Sequence, residues 1–280
     1  MTFEITVASS DDMQRMAGWA ADEGWNPGNT DFHAFFAADP GGYLMGHLDG
    51  EPVTAISVVK YGEALGFLGF YIARPAARGK GYGLTTWNAG MARLAGRNVG
   101  LDGVVAQQHN YRKSGFRLAW NNVRQEGPVP DAKAPAGVEL IDGRSVPFDK
   151  LAAYDRRFFP TARDAFLASW ISLPERASMA AIRDGELVGL AVMRAARAAQ
   201  RVGPLYAESP DVAAALVAAL ARKSGATTVA VDTPDINKPA LALAERSGWK
   251  PSFETARMYT GANPEVDYAG LYGVTSFELG

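Results

Sequence analysis

Three glycines alternate with other residues directly after an apolar run, and two basic residues flank them. The residues are Arg78, Gly79, Lys80, Gly81 and Gly83. Glycine lets backbone amides approach a ligand with no side chain in the way, and a loop that enters a helix presents several amides together. Because such a group of N–H donors suits an anion, the spacing predicts a phosphate site.

The familiar phosphate loops do not fit these positions. The dinucleotide-binding pattern needs Gly or Ala where Leu84 or Thr86 stands, and the Walker pattern needs Ser or Thr where Gly81 follows Gly-Lys. A kinase loop is excluded too, because no Lys-bearing strand and HRD-type loop follow. The loop alone leaves two interpretations open, an anion site of another kind and a solvated basic turn, and its neighbouring elements must decide between them.

The composition excludes several classes of function. A net charge of −2 gives no basic surface for nucleic acid or an anionic membrane, and no apolar run approaches the ~18 residues of a membrane span. The chain has no Cys for disulfides or zinc, and His33, His47 and His109 are too far apart for a metal site. The N-terminus does not resemble a signal peptide. We therefore expect a cytoplasmic protein that uses no metal and binds neither nucleic acid nor membrane.

A Pro- and Gly-rich segment divides the chain. Residues 126–137 hold three Pro and two Gly without apolar periodicity, which is typical of a linker. The predicted domains are therefore 1–125 and 138–280, each of ordinary size.

The two halves resemble each other. An Asp-Gly hairpin at 43–59 recurs at 178–194, and the stretch 111–124 recurs at 244–257. The two offsets, 135 and 133 residues, are nearly equal, so the sequence indicates an internal duplication.

The elements of the first half alternate hairpins with crossovers. The patterns predict strand 3–8, a helix from Ser10, helix 31–38, the hairpin, strand 65–73, the glycine loop, helix 84–95, strand 99–104, a helix at 107–114 and closing strands after Gly115. This order favours an α+β fold in which a mixed, mostly antiparallel sheet is flanked by helices, and it excludes a doubly wound sheet.

The order of these elements resembles the GNAT superfamily of acyl-CoA-dependent N-acyltransferases. The resemblance lies in the strand, the Arg-x-x-Gly-x-Gly loop, the amphipathic helix and a later helix that ends in Tyr111-Arg112-Lys113-Ser114-Gly115-Phe116. The resemblance covers residues 3–125 in its motifs and 138–280 in plan only. It implies a tandem-GNAT protein with a degenerate second copy.

The resemblance implies acetyl-CoA as co-substrate. The end of the strand before the loop would pair with the pantetheine arm, and the loop amides would hold the pyrophosphate. The residues implied in this site are Ile72, Ala73, Arg78, Gly79, Lys80, Gly81, Tyr82, Gly83 and Leu84.

Tyr111 falls where many family members keep the tyrosine that protonates the leaving thiolate, and a phenol can act as this general acid. The other interpretation of Tyr111 is packing beside Phe116. The Asn that usually opens this helix is replaced by Val104, which puts the shape of the helix in doubt.

The general base and the acceptor site are less evident. Many relatives carry a Glu on the strand before the loop, but residues 65–73 contain no carboxylate, so Asp102 and Glu23 are the candidates. Trp25 and Asn26 follow the first helix, where relatives often place the acceptor loop. The alternative is that this segment only forms a turn and that Trp25 covers the core.

The second half lacks the chemistry of the first. No glycine occurs between 204 and 224, and Ala244 stands at the position that matches Tyr111. We expect this half to pack on the first domain, to shape the acceptor pocket or to build a homodimer. In some tandem relatives the C-terminus enters the active site, so Glu278 or the terminal carboxylate is a further candidate base.

The predicted function is transfer of an acetyl group from acetyl-CoA to a small-molecule primary amine by direct attack. Two alternatives stay open: a non-catalytic acyl-CoA-binding regulatory module, and an acetyltransferase that acts on a protein or peptide amine.

Overall fold

The computed structural model describes residues 1–280, which form eight helices and thirteen strands. The first half contains β1 (Phe3–Val7), α1 (Ser10–Asp22), α2 (Asp31–Ala38), β2 (Tyr43–Leu48), β3 (Glu51–Tyr61), β4 (Leu65–Ala73), α3 (Tyr82–Arg93), β5 (Asn98–Val104), α4 (Gln108–Lys113) and β6 (Arg117–Pro128). The second half contains β7 (Glu139–Asp142), α5 (Phe148–Asp155), α6 (Asp164–Ser172), β8 (Arg176–Arg183), β9 (Glu186–Arg194), β10 (Gln200–Ala207), α7 (Pro210–Ser224), β11 (Thr228–Pro234), α8 (Lys238–Arg246), β12 (Lys250–Tyr259) and β13 (Leu271–Gly273). None of the eight helices is long and apolar enough to cross a membrane.

Both Asp-Gly turns close hairpins, as the repeat predicts. The turn between β2 and β3 has φ values of 50° at Asp49 and 87° at Gly50, and the turn between β8 and β9 has 52° at Asp184 and 81° at Gly185. Positive φ at both central residues matches the right-handed twist of the strands that they join. The duplicated hairpin is therefore the same local structure in both halves.

The strands form one continuous sheet in the order β1-β2-β3-β4-β5-β12-β6-β11-β10-β9-β8-β7, with β13 beside β10. Only the pairs β4–β5 and β10–β11 are parallel. The predicted fold class, a mixed and mostly antiparallel sheet in two GNAT-like halves, is confirmed.

The two halves exchange their closing strands. Strand β6 of the first half pairs with β11 of the second, and β12 of the second half pairs with β5 of the first. The exchanged strands then pair with each other at the centre of the sheet. The segment predicted as a linker from residue 126 begins inside β6, which stays paired with β11 as far as Pro128. Each half of the sheet is thus completed by a strand from the other half.

The largest hydrophobic cluster also spans both halves. Its 36 buried residues include members of the first helices and strands, of α5 and α6, and of the segment after β13. Phe35 of α2 stacks on Trp170 of α6 with ring centroids 5.8 Å apart. The halves consequently share this core.

Candidate active site

Strands β4 and β5 run together at one end and separate at the other. They pair over residues 65–68 and 98–101, and the pairing then stops. A bulge follows in β4, where the register with β3 shifts and Phe70 takes a φ of 45°. The backbone of residues 69–73 is therefore unpaired on the side that faces β5, and a wedge opens there between α3 and α4.

A cavity of about 640 Å³ occupies the wedge and extends to the second half. The predicted site residues that line it are Glu23, Trp25, Ile72, Ala73, Arg78, Leu84, Asp102 and Tyr111. Those that do not line it are Asn26, Gly79, Lys80, Gly81, Tyr82 and Gly83. Residues 79–83 form the loop at the mouth of the wedge, where they present backbone groups and not side chains.

Six consecutive amides at the start of α3, those of residues 79–84, donate no hydrogen bond within the chain. Gly79 and Gly81 hold the loop with φ values of 73° and 86°, a region that favours glycine. A Cβ on Gly83 would lie 3.0 Å from the hydroxyl oxygen of Tyr71, so glycine also permits a close approach there. The unpaired amides and the helix dipole together make an anion site. Helix α3 begins at Tyr82, two residues before its predicted start.

Arg78 braces this loop instead of pointing freely outward. Its Nε donates to the carbonyl of Ala73 at 2.8 Å, and its Nη2 donates to the carboxylate of Glu23 at 2.5 Å. Glu23 is thereby engaged as the counter-ion of Arg78. The ring of Tyr82 stacks on Phe3 at 4.8 Å, which anchors the first turn of α3 to β1.

Tyr111 lies on α4 and reaches the wedge across β5. A Cβ on Gly103 would lie 2.1 Å from the Tyr111 ring, so the absence of a side chain at 103 is what admits the ring. The ring stacks on Trp87 of α3 at 5.9 Å. Its hydroxyl has no partner within the chain, and burial raises the pKa of Tyr111 to about 12. The hydroxyl is therefore protonated at neutral pH and free to donate to a ligand.

Asp102 lines the cavity, but its carboxylate is paired with an arginine. Nε and Nη2 of Arg257, on the exchanged strand β12, donate to its two oxygens at 2.8 and 2.5 Å. Asn122 of β6 donates to the same carboxylate at 2.8 Å. A bidentate arginine and an amide donor hold this carboxylate, so Asp102 fits a structural ion pair better than a base.

The segment after α1 places one of its two predicted residues in the site. Trp25 lines the cavity, and its carbonyl accepts a hydrogen bond of 2.7 Å from Nη1 of Arg124. Asn26 turns away, because its side-chain oxygen accepts from the amide of Ala198 and its carbonyl accepts from Arg201. Asn26 thus ties the loop to the second half.

The segment after β13 runs back into the first half and brings Glu278 into the cavity. A Cβ on Gly69 would lie 2.3 Å from the carbonyl oxygen of Glu278, so the absence of a side chain at 69 makes room for this backbone. Tyr61 donates to the carbonyl of Leu279 at 3.0 Å and fixes the segment.

Glu278 itself is 3% exposed, and its Oε2 has no hydrogen-bond partner. Burial raises the pKa of this carboxyl. Gly280, the other expected position, does not line the cavity, since it packs against Phe67 and Phe159 and its carbonyl accepts from Arg163. No group of three His, Asp or Glu side chains is arranged to hold a metal ion.

Three further residues of the second half line the cavity, Phe253, Thr255 and Phe277. Sequence reasoning missed them because they lie far along the chain from the glycine loop. The strand exchange brings β12 here, and no local pattern signals it.

The second half has a matching wedge that its own chain fills. Strands β10 and β11 pair only over 200–202 and 229–231, and β13 then lies against β10 beyond that point. Helix α7 begins with Pro210, which has no N–H, and Ser209 caps the amide of Val212. The second wedge accordingly offers neither an open groove nor a row of free amides.

Comparisons with known proteins match both halves to one family. A model described as Acetyltransferase (GNAT) family matches residues 10–116, and one described as Acetyltransferase (GNAT) domain matches residues 151–273. Holothin acyltransferase of Pseudoalteromonas sp. (strain SANK 73390) is 33% identical over 281 aligned positions, which cover 100% of this chain and 95% of that protein.

Two solved structures share the whole architecture. A putative acetyltransferase from Pyrococcus horikoshii superposes with a TM-score of 0.83 at 21% identity and covers 99% of this chain and 96% of its own. A tandem GNAT protein from the clavulanic acid biosynthesis pathway has a TM-score of 0.67 at 14% identity, with coverage of 94% and 100%. At these identities the likeness concerns the fold.

Proposed function

Because the chain belongs to the GNAT family of acyltransferases, we propose that it transfers an acetyl group from acetyl-CoA to the primary amine of a small molecule. The single observation that supports this most strongly is the row of six free amides, residues 79–84, at the mouth of the wedge. The wedge leads from these amides to Tyr111 and Glu278, which line the same cavity.

The proposed coenzyme site uses the free loop amides and the edge of β4 that no longer pairs with β5. The pyrophosphate would accept hydrogen bonds from the loop amides, each worth about 1.5–3 kcal/mol when one partner is charged. The pantetheine arm would lie along β4 at Ile72 and Ala73, where the backbone facing β5 is unpaired. When bound, the coenzyme supplies the acetyl thioester that the amine attacks.

Glu278 is the proposed general base. Its oxygen Oε2 has no partner, whereas Glu23 is paired with Arg78 and Asp102 with Arg257. A carboxylate with a raised pKa is a stronger base once it is ionised, which suits removal of a proton from the attacking nitrogen. Tyr111 is the proposed acid, because its protonated hydroxyl is free within the cavity.

The transfer then balances as follows. The amine nitrogen bonds to the thioester carbon, and one of its protons passes to the Glu278 carboxylate. The carbon–sulfur bond breaks, and the hydroxyl of Tyr111 donates to the leaving sulfur. Coenzyme A and the amide are the products, and exchange with solvent restores both side chains.

Glu278→Gln tests the proposal. We expect kcat in a thiol-release assay to fall by about 10²–10⁴-fold, as is usual for loss of a general base, while acetyl-CoA affinity by calorimetry stays within about twofold. Glu186→Gln, which changes an exposed glutamate in the β8–β9 turn, is the matched control.

The pH dependence of the wild type gives a second measurement. The base must be ionised, so kcat/KM should rise as the pH passes through the pKa of Glu278. Because burial raises that pKa, the rise should occur at a pH above the ordinary carboxyl value of 4.5. A Glu278→Gln enzyme with unchanged turnover would exclude this base. Acetyl-CoA binding without thiol release in the wild type would instead favour the non-catalytic coenzyme-binding module.

A further inference from the structure

Three aromatic residues from separate segments line the cavity together with Glu278. Phe277 precedes Glu278 on the same segment, and Phe253 of β12 lies 6.1 Å from Phe277 between ring centroids. The guanidinium of Arg124 lies 4.8 Å from the Phe277 ring and 5.5 Å from the Phe253 ring, and it also holds the carbonyl of Trp25. Trp25, Phe253 and Phe277 line the cavity, so we call them the aromatic wall.

A buried positive charge lies next to this aromatic wall. Arg124 and Arg201 share the single carboxylate of Asp232, and Arg201 also lies 5.7 Å from the Phe277 ring. Farther back, Arg176 and Arg194 share the carboxylate of Asp31. These four arginines thus face two aspartates.

The charges around Glu278 do not cancel. Buried nitrogens of Arg176, Arg194 and Arg201 have no acceptor within the chain. The charged groups that act on Glu278 are Arg201 of β10, Arg194 of β9 and Asp31 of α2. An excess of positive charge therefore lies beside the inner end of the cavity, where Glu278 is the one carboxyl with an oxygen free of partners.

A positively charged acceptor would be repelled by this excess charge. A cation at the aromatic wall would approach Arg124 and Arg201 from across the Phe277 ring, whose π system already contacts both guanidinium groups. A neutral flat ring would meet no such repulsion and would stack on the wall.

We infer that the acceptor is a planar, weakly basic primary amine, that is, an aryl or heteroaryl amine that is uncharged at neutral pH. This inference rests on the proposed function and specifies its acceptor. A neutral amine reaches Glu278 without first losing a proton to solvent, so one proton leaves the nitrogen only as the nitrogen–carbon bond forms.

Three matched amines separate shape from charge. 4-Methylaniline is flat and weakly basic, benzylamine carries the same ring with a basic nitrogen, and 4-methylcyclohexylamine is neither flat nor weakly basic. The assay is thiol release from acetyl-CoA at pH 7 and pH 9.

We expect kcat/KM for 4-methylaniline at pH 7 to exceed that of both other amines by at least about tenfold and to change little at pH 9. An amine with a pKa near 10 is neutral in only about one molecule in a thousand at pH 7, so the value for benzylamine should rise by up to about a hundredfold at pH 9. A preference for benzylamine or 4-methylcyclohexylamine at pH 7 would overturn the inference and leave the proposed acetyltransferase activity intact.

Variants of the aromatic wall test the same point without changing the substrate. Phe277→Leu should lower the preference for 4-methylaniline over 4-methylcyclohexylamine by about tenfold, since the stacking surface is lost. Phe148→Leu, at a phenylalanine on α5 that is 40% exposed, is the control and should retain the preference. An unchanged preference in Phe277→Leu would contradict the role of the wall.

Failure of the proposed function can be distinguished from failure of this inference about the acceptor. If acetyl-CoA binds but no amine causes thiol release, the proposed activity is wrong, and the three amines are then titrated onto protein saturated with coenzyme A. Tighter binding of 4-methylaniline would still support the acceptor class, and equal or weaker binding would overturn it.

Discussion

At the scale of single residues, the site contains two buried carboxyls with contrasting surroundings. Asp102 receives three hydrogen bonds from Arg257 and Asn122, whereas Glu278 keeps one oxygen without any partner. The sequence favoured Asp102 and Glu23 as bases because both lie near the motifs of the first half. Both are paired with arginines in the structure, and Arg257 is 155 residues from Asp102, so no local pattern reveals that pair.

Tyr111 illustrates a residue whose position was predictable but whose acidity was not. Its motif marked it, and the structure adds that burial raises the pKa to about 12. Full proton transfer to a thiolate of pKa about 8.5 is then uphill by roughly 5 kcal/mol. We therefore expect the hydroxyl to act by a hydrogen bond to the developing negative charge on sulfur, with complete transfer following.

Tyr111→Phe should accordingly lower kcat by about 10²-fold or more and leave acetyl-CoA affinity nearly unchanged, because the lost hydroxyl interacts only as the sulfur leaves. Single-turnover thiol release and calorimetric titration measure the two quantities. Tyr154→Phe, which removes a hydroxyl without hydrogen bonds from α5, is the control. Normal turnover in Tyr111→Phe under conditions where chemistry limits the rate would assign the tyrosine to packing against Trp87.

At the scale of elements, the glycine loop and its strand were readable from sequence, and the second wedge was not. Strand 65–73 and helix 31–38 have the predicted bounds. Helix α3 starts early because Gly81, in the left-handed region, serves as its N-cap. The missing glycines indicated a different second loop, but a three-residue strand such as β13 has too short a pattern to predict that it fills the wedge.

Gly81→Val tests the loop as an element. A Cβ there meets no atom within 4 Å, so the change strains the backbone at a φ of 86° without a clash. Moving the loop amides should raise the dissociation constant of acetyl-CoA by at least about a hundredfold, which is about 2.7 kcal/mol.

Gly96→Val is a matched control, because Gly96 has a φ of 81° and equally open surroundings but lies outside the loop. Both variants should lose similar stability, and only Gly81→Val should lose affinity. Wild-type protein should saturate near one equivalent of acetyl-CoA, since β13 fills the other wedge. Tight binding by folded Gly81→Val would refute the pyrophosphate site.

At the scale of the whole molecule, the duplication was visible in sequence and the strand exchange was not. A repeat at a constant offset shows that two similar units exist, but β6 could pair with β5 or with β11 by the same alternation of side chains. The structure uses β11, and the domain limits drawn at 125 and 138 therefore cut through a shared sheet. The candidate site also depends on the exchange, since Phe253, Phe277 and Glu278 in its lining come from the second half.

The exchange predicts that the two halves unfold together. Separating them would break the pairing of β6 with β11 and of β12 with β5 and would open the cluster of 36 buried residues, so neither half retains a complete sheet. Scanning calorimetry should show one transition whose calorimetric and van't Hoff enthalpies agree.

Acetyl-CoA at a hundred times its dissociation constant should stabilise the whole chain by about 2.7 kcal/mol and raise the Tm of that single transition by about 5 °C. Gly81→Val, measured at the same ligand concentration, should show little rise. Two separate transitions, of which acetyl-CoA moves only one, would mean that the exchanged strands do not couple the halves and that the second half is an independent domain.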